Sequence, residues 1–223
     1  MTTEEFAKNF YLEKKSLLKS SFDFEANSMT YVSTKILELQ LDTEQTEKLK
    51  HIISSLLTDT FYTVLLGLDG STSIGNSNQE VFKIYDEQEN LISSCGELEA
   101  EAYEYFHNHK FEFDNSEADF IATLTYLTAE DGGRKTPAIS NYRPQIKFDF
   151  DEMQTSGQQT FIEKEIVFPG ETINAEIKII AVEHFAHKLK EGMTFEFLEG
   201  QTLIGTGKIK LIKNELLRKA SLQ

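Results

Sequence analysis

The chain has 223 residues, 39% of them hydrophobic, with 17 Phe, 8 Tyr, a single Cys and a formal charge of −15. That much apolar material can build a core without disulfides, in one large domain or two small ones. Apolar runs such as Val64-Leu65-Leu66 fall far short of the about 20 residues of a membrane span, Glu4 and Glu5 oppose the basic start of a signal peptide, and a lone Cys95 forms no internal disulfide, so a cytoplasmic protein without membrane contact is expected.

In chain order, residues 2–20 carry helix-spaced apolar side chains (Phe6, Phe10, Leu12, Leu17, Leu18), and residues 31–41 form a second, ambiguous element. Asp42 followed by Gln45 is a capping box. It opens a helix whose apolar face runs through Leu49, Ile52, Ile53, Leu56, Leu57, Phe61 and Val64 and which stops before Gly67. Residues 81–85 and 91–93 read as a short hairpin, and residues 97–106 as an amphipathic helix lined by Leu98, Ala102 and either Tyr103 or Tyr105. The first half, residues 1–115, is expected to be an acidic, helix-rich α+β domain.

Its charge is concentrated. Residues 59–119 hold 14 acidic side chains against Lys83 and Lys110, a net of 2 − 14 = −12. Such a surface repels phosphate backbones and speeds encounter with a basic partner, although a merely solubilising acidic surface is the plainer alternative.

Beyond Asn115 the texture changes, and all three prolines, Pro137, Pro144 and Pro169, lie there. Ile146, Phe148 and Phe150 alternate with Lys147 and Asp149, and Ile173, Ala175, Ile177 and Ile179 alternate with Asn174, Glu176 and Lys178, the period of half-buried strands. Strands are predicted at 120–127, 145–150, 161–168, 173–179, 193–197 and 203–211. Together they predict an all-β, antiparallel, six-stranded Greek-key barrel over residues 116–214, followed by a basic tail at 215–223.

Few residues suggest chemistry. Residues 63–75 resemble the strand and Asp-x-Ser-x-Ser loop of a von Willebrand factor A domain, in which Asp69, Ser71 and Ser73 would ligate Mg²⁺. Too few residues follow for the parallel sheet such a domain needs, so a helix end turning at Gly67 and Gly70 into a hairpin is the favoured reading. His107 and His109, near Glu112 and Asp114, have a weak metal-binding spacing at a helix end, and His184 and His187 on an extended strand would face opposite sides. Cys95 has no basic neighbour to activate it, the acids of 97–104 form a solvated helix face, and no Gly-x-x-x-x-Gly-Lys-Ser/Thr run is present to hold GTP. No catalytic residue, metal or cofactor is expected.

A set of landmarks spread over residues 117–213 is more specific. They are Gly132-Gly133-Arg134, Thr136-Pro137, Tyr142-Arg143-Pro144-Gln145, Phe168-Pro169-Gly170, the strand at 192–197, Glu199-Gly200 and Gly205-Thr206-Gly207. In this order they resemble the third domain, the C-terminal β-barrel, of elongation factor Tu. The resemblance implies the barrel fold and a surface that, in the family, meets aminoacyl-tRNA, the nucleotide exchange factor and the GTPase domain. It points to Arg134, Tyr142, Arg143 and Gln145 as binding residues. Asp149, Asp151 and Glu152 stand where the family is basic and threonine-rich, and Thr194, Leu198 and Thr202 where it carries arginines. Each lost phosphate contact removes about one unit of salt dependence, so inherited tRNA affinity is expected to be reduced. The expectation is a non-enzymatic, bacterial-type protein-binding module without its GTPase domain, with a partner that is a basic protein. One version is decoy or immunity action against a basic toxin that exploits elongation factor Tu. The alternatives are a translation protein binding tRNA or elongation-factor partners, and, third, a metal-dependent enzyme using Asp69, Ser71 and Ser73 or His107 and His109.

Overall fold

Helix α1 (Thr3–Ser21) opens on a capping box: the Glu5 amide donates to Thr2 Oγ1 at 3.1 Å, and the Thr2 amide donates to Glu5 Oε2 at 2.8 Å. Two of the amides that any helix start leaves over are thereby satisfied. The computed structural model describes residues 1–25, 27, 29–93 and 96–220, and Cys95 lies outside them. The chain divides into two units, Met1–Asp114 and Asn115–Gln223.

In the first unit α1 buries Ala7, Tyr11 and Lys14, with Phe6 and Phe10 alongside, whereas Leu17 is exposed. The predicted face was thus displaced, because small Ala7 sets the line of close approach. Opposite it lies α4 (Glu97–Phe106), whose Leu98, Ala102, Tyr105 and Phe106 join Leu65 of α3 (Thr43–Asp69) in one core. Tyr11 meets the Phe106 ring edge-on at 5.4 Å, the geometry favoured by the ring quadrupoles. Of the two candidate tyrosines Tyr105 is inside and Tyr103 out.

Helix α3 keeps its Asp42–Gln45 capping box, with hydrogen bonds of 2.8 and 3.1 Å, but it does not stop before Gly67. It continues to Asp69. Gly70, at φ 85°, ends it, and the Ser71 amide donates to Leu66 O at 2.9 Å. At 27 residues α3 is, by length and composition, long and apolar enough to cross a membrane, which its short uninterrupted apolar runs did not suggest. The ambiguous element is α2 (Tyr31–Glu38), capped by Thr30, and α5 (Lys110–Asn115) closes the unit. The predicted hairpin shrinks to one antiparallel bridge, Tyr85 to Leu91. Val81, Tyr85 and Leu91 are all exposed and bury no common face, so among the described residues the first unit is helical, without a strand of its own.

The second unit is a closed antiparallel barrel of six strands in the order β1-β6-β4-β3-β7-β8. These are β1 (Phe120–Tyr126), β3 (Gln145–Phe148), β4 (Gln154–Phe161), β6 (Thr172–Ile179), β7 (Thr194–Glu199) and β8 (Thr202–Ile212), with β2 (Ala138–Ile139) and β5 (Ile166–Val167) paired beside them. Five strands match their alternation, but the one predicted at 161–168 is misplaced. The true strand β4 reads Gln-Thr-Ser-Gly-Gln-Gln-Thr-Phe and turns Thr155, Gly157, Gln159 and Phe161 inward, an inward face too polar to register as apolar alternation. His184 and His187, expected on an extended strand, lie in turns over residues 182–188 around buried Phe185.

The barrel interior is aromatic: Phe120, Tyr126, Phe148, Phe195 and Phe197 are almost wholly buried. Gly205 and Gly207 of β8 lie opposite Phe197 and Phe195 of β7. A Cβ on either glycine would fall within 2.2 Å or 2.1 Å of the facing ring's Cζ, so the glycines make the space the rings fill. After β8, described residues around Leu217 pack into the barrel. Leu217, in the short helix η1 (Glu215–Leu217), is fully buried, and the Leu189 and Lys219 amides pair with Leu217 O and Leu189 O at 2.9 and 2.7 Å. Asp119 joins three elements: its carboxylate accepts from the Ile179 amide and from Asn214 Nδ2, both at 2.8 Å.

Candidate binding surface of the barrel

The loop between β1 and β2 turns on Gly132 (φ 88°), while a Cβ on Gly133 would lie 2.3 Å from Leu127 O. Gly133 is therefore needed for close backbone approach, and Gly132 supplies the left-handed φ of the turn. This tight loop delivers Arg134 to the start of β3. There its guanidinium carbon stands 4.6 Å from the Tyr142 ring centroid, within cation–π range. Arg134 Nη1 and the Tyr142 hydroxyl both donate to Glu199 Oε1 at the end of β7. Arg134 Nε and Nη2 also donate to Thr136 O and Pro137 O at 3.2 and 3.4 Å. Partial burial raises the Tyr142 hydroxyl's pKa above its ordinary value, with Arg134 opposing.

Arg143 is the next residue but serves another cluster. Its Nη2 donates to Gln158 Oε1 at 2.6 Å, Gln158 Nε2 to Asn141 Oδ1 at 2.6 Å, and Thr160 Oγ1 to the same oxygen at 3.2 Å. Arg143, Ser156, Gln158, Lys178, Ile179 and Ile180 line a half-open cavity of about 230 Å³. Gln145 lies on the outer face of β3, between Ser156 of β4 and Leu198 of β7. The four predicted residues therefore do not form one site: Arg134 and Tyr142 join Glu199, Arg143 joins Gln158 and Asn141, and Gln145 stands apart. Glu199 entered only as a landmark beside Gly200, and Lys178 only as a polar residue alternating along a strand. The sign at Lys178 and the carboxylate at Glu199 were visible in the sequence, but their partners were not.

Of the acidic substitutions, Asp151 is engaged. Its Oδ2 pairs with His184 Nε2 at 2.7 Å and accepts from Lys188 Nζ at 3.2 Å, while the Met153 amide donates to its Oδ1 at 3.0 Å. These contacts, the Met153 amide first, hold its pKa down at about 2. Glu152 has a side chain 99% exposed. His184 thus pairs with a carboxylate in a turn, and His187, at φ 59°, uses its backbone amide to reach Leu216 O; the opposite-faces argument for a strand does not apply.

Among the metal candidates of the first unit, Asp69, Ser71, His107 and Glu112 make structural contacts. Asp69 is buried, and its Oδ2 accepts from the Gly96 and Glu99 amides at 2.8 and 3.2 Å. It caps the start of α4, which Gly96 cannot cap for itself. Ser71 Oγ donates to Glu99 Oε2 at 2.6 Å. His107 lies edge-on to Tyr62 at 4.6 Å, and Glu112 accepts from Tyr11 at 2.9 Å and Lys15 at 2.5 Å. Among the described residues no group of three or more His, Cys, Asp or Glu is placed to hold a metal ion.

Residues 115–213 match the family model described as the elongation factor Tu C-terminal domain, and no family model matches the first half. The match takes in all eight strands of the second unit and stops before η1. A domain of this family is present in the chain, and the landmarks from Gly132 to Gly207 belong to its barrel.

Proposed function

We propose that the protein is a non-enzymatic, cytoplasmic binding protein of translation-factor type whose barrel docks a protein partner. The observation that carries this reading is the engagement of Arg134. Its guanidinium is stacked on Tyr142 and ion-paired to Glu199, with its side chain only 16% exposed, so it is withdrawn from any phosphate and presents instead a packed Tyr–Arg–Glu surface. Tyr and Arg in such settings are the residues that anchor protein interfaces. Acidic Asp149 and Glu152 nearby in sequence add attraction for a basic partner. A basic toxin or other ligand of elongation factor Tu, held off by this decoy, is the specific form we favour. The test is capture from a bacterial lysate by the whole chain and by Tyr142→Ala. One stoichiometric protein lost in the variant is expected; equal capture by both would refute the barrel surface as the dock.

A second reading is favoured by the cavity between Arg143 and Lys178, where two cations and a serine hydroxyl face one space. Filter binding of aminoacyl-tRNA over a salt series separates the two. The protein-docking reading expects weak binding, and tight binding with a log–log slope near −2 would support phosphate contact by these two side chains instead.

A further inference from the structure

The core of the first unit uses only the C-terminal part of α3: Leu65 is fully buried, with Phe61, Tyr62 and Leu68 beside it. Upstream, Ile52 and Leu56 are 62% and 63% exposed. At about 100° per residue, Ile52, Leu56, Asp59 and Thr63 fall on one stripe about 60° wide. Where that stripe ends, Asp59, Thr60, Thr63 and Val64 join Ile74 and Gly75 around an open, mainly apolar cleft of about 380 Å³. Asp59 is exposed at its mouth and enters no ion pair among the described residues. Two bare aliphatic side chains, a free carboxylate and an apolar cleft in line are complementary to a helix that carries apolar residues and cations on one face.

We propose that this face of α3 docks a basic amphipathic helix of a partner protein. Its apolar side chains lie against Ile52 and Leu56 and enter the cleft beside Val64 and Ile74, and a Lys or Arg meets Asp59. Leu56 and Val64 are eight positions apart on α3, about 12 Å at 1.5 Å per residue, which two turns of a partner helix span. Charge decides between the possible occupants. The 14 acids of residues 59–119 face only two lysines, so they attract a cationic helix. A second copy brings another −15 to the contact, and a membrane surface, negative in its own right, is repelled in the same way.

The test is fluorescence anisotropy of a labelled synthetic helix with Leu at i, i+4 and i+8 and Lys at most other positions, titrated with the whole chain. The same helix with Glu for Lys is the control. The Lys helix is expected to bind and the Glu helix not. Leu56→Gln and Asp59→Lys are each expected to weaken binding about tenfold. Glu165→Lys, the same charge change on an exposed barrel side chain, is expected to change it less than about twofold. Ile52→Gln stands in for Leu56→Gln if circular dichroism shows that variant misfolded. No binding of the Lys helix, equal weakening by Glu165→Lys, or indifference to both Leu56→Gln and Ile52→Gln overturns the proposal. So does sedimentation equilibrium showing a dimer that Leu56→Gln abolishes, or co-sedimentation with anionic vesicles that Leu56→Gln abolishes. The variants at Ile52, Leu56 and Asp59 lie in the first unit and the barrel test uses Tyr142, so the two readings fail separately.

Discussion

Removing the hydroxyl of Tyr126 is expected to destabilise the barrel, and the reason lies in one buried amide. Gln159 is wholly buried on the inward face of β4, and its Oε1 accepts from Tyr126 Oη at 2.5 Å, while its Nε2 has no hydrogen-bond partner among the described residues. Burial also pushes the pKa of the Tyr126 hydroxyl upward, so it is a committed donor at neutral pH. Tyr126→Phe leaves both ends of the Gln159 amide unsatisfied, at a cost of about 1–3 kcal/mol for the orphaned carbonyl. Gln159→Leu orphans the hydroxyl at about the same cost, but removes an amide that was already half unsatisfied, so its net effect is expected near zero. In the double variant no polar atom of the pair remains, and its stability is expected to equal or exceed that of the parent. Urea unfolding followed by far-ultraviolet circular dichroism measures all four corners of the cycle, with the two units fitted as separate transitions. If Tyr126→Phe costs less than about 0.5 kcal/mol, or if the double variant shows the sum of the single losses, the buried pair does not behave as described.

Other perturbations test the same structure. Gly207→Ala is expected to cost at least about 1–3 kcal/mol, because the new methyl meets the Phe195 ring; a barrel transition unchanged in urea would contradict that packing. Glu199→Gln removes the ion pair to Arg134, which is largely covered while Glu199 is 47% exposed. After discounting for solvent, about 1 kcal/mol of barrel stability is expected to go, and its salt dependence with it, both read from denaturation at low and high salt. Asp151, held at about 2, has a folded value below its unfolded one near 3.9. Its contribution is therefore present above about pH 4 and lost as pH falls toward 2. The stability gap between the parent and Asp151→Asn is expected to close as pH falls below 4; a gap that widens in acid would reverse the sign.

How far the fold was legible depended on what each segment buries. β1 and β6 alternate apolar and polar residues and were located almost to the residue, because one face of each meets an aromatic core. β4 was missed because its inward side chains are Thr155, Gly157 and Gln159, chosen for volume and hydrogen bonding and not for hydropathy. The end of α3 was misjudged because Gly67 and Gly70 look alike in sequence, and only the second adopts a positive φ. The binding residues had the same difficulty in another form. Arg134, Tyr142, Arg143 and Gln145 were recognisable as a motif, yet adjacent residues Tyr142 and Arg143 turn to different partners, which only the register of β3 against β4 and β7 decides.

The pairing of Gly205 and Gly207 with Phe197 and Phe195 also fixes where β7 can sit on β8. A slip of two residues, the smallest that keeps the rings inside, would drive Phe195 onto Ile209 in one direction, or Phe197 toward Leu203 and Ile204 in the other. Neither position offers a glycine opposite the displaced ring. The two strands work like a key cut for a single depth of insertion, so the native alignment of β7 on β8 is the one in which both rings meet glycines.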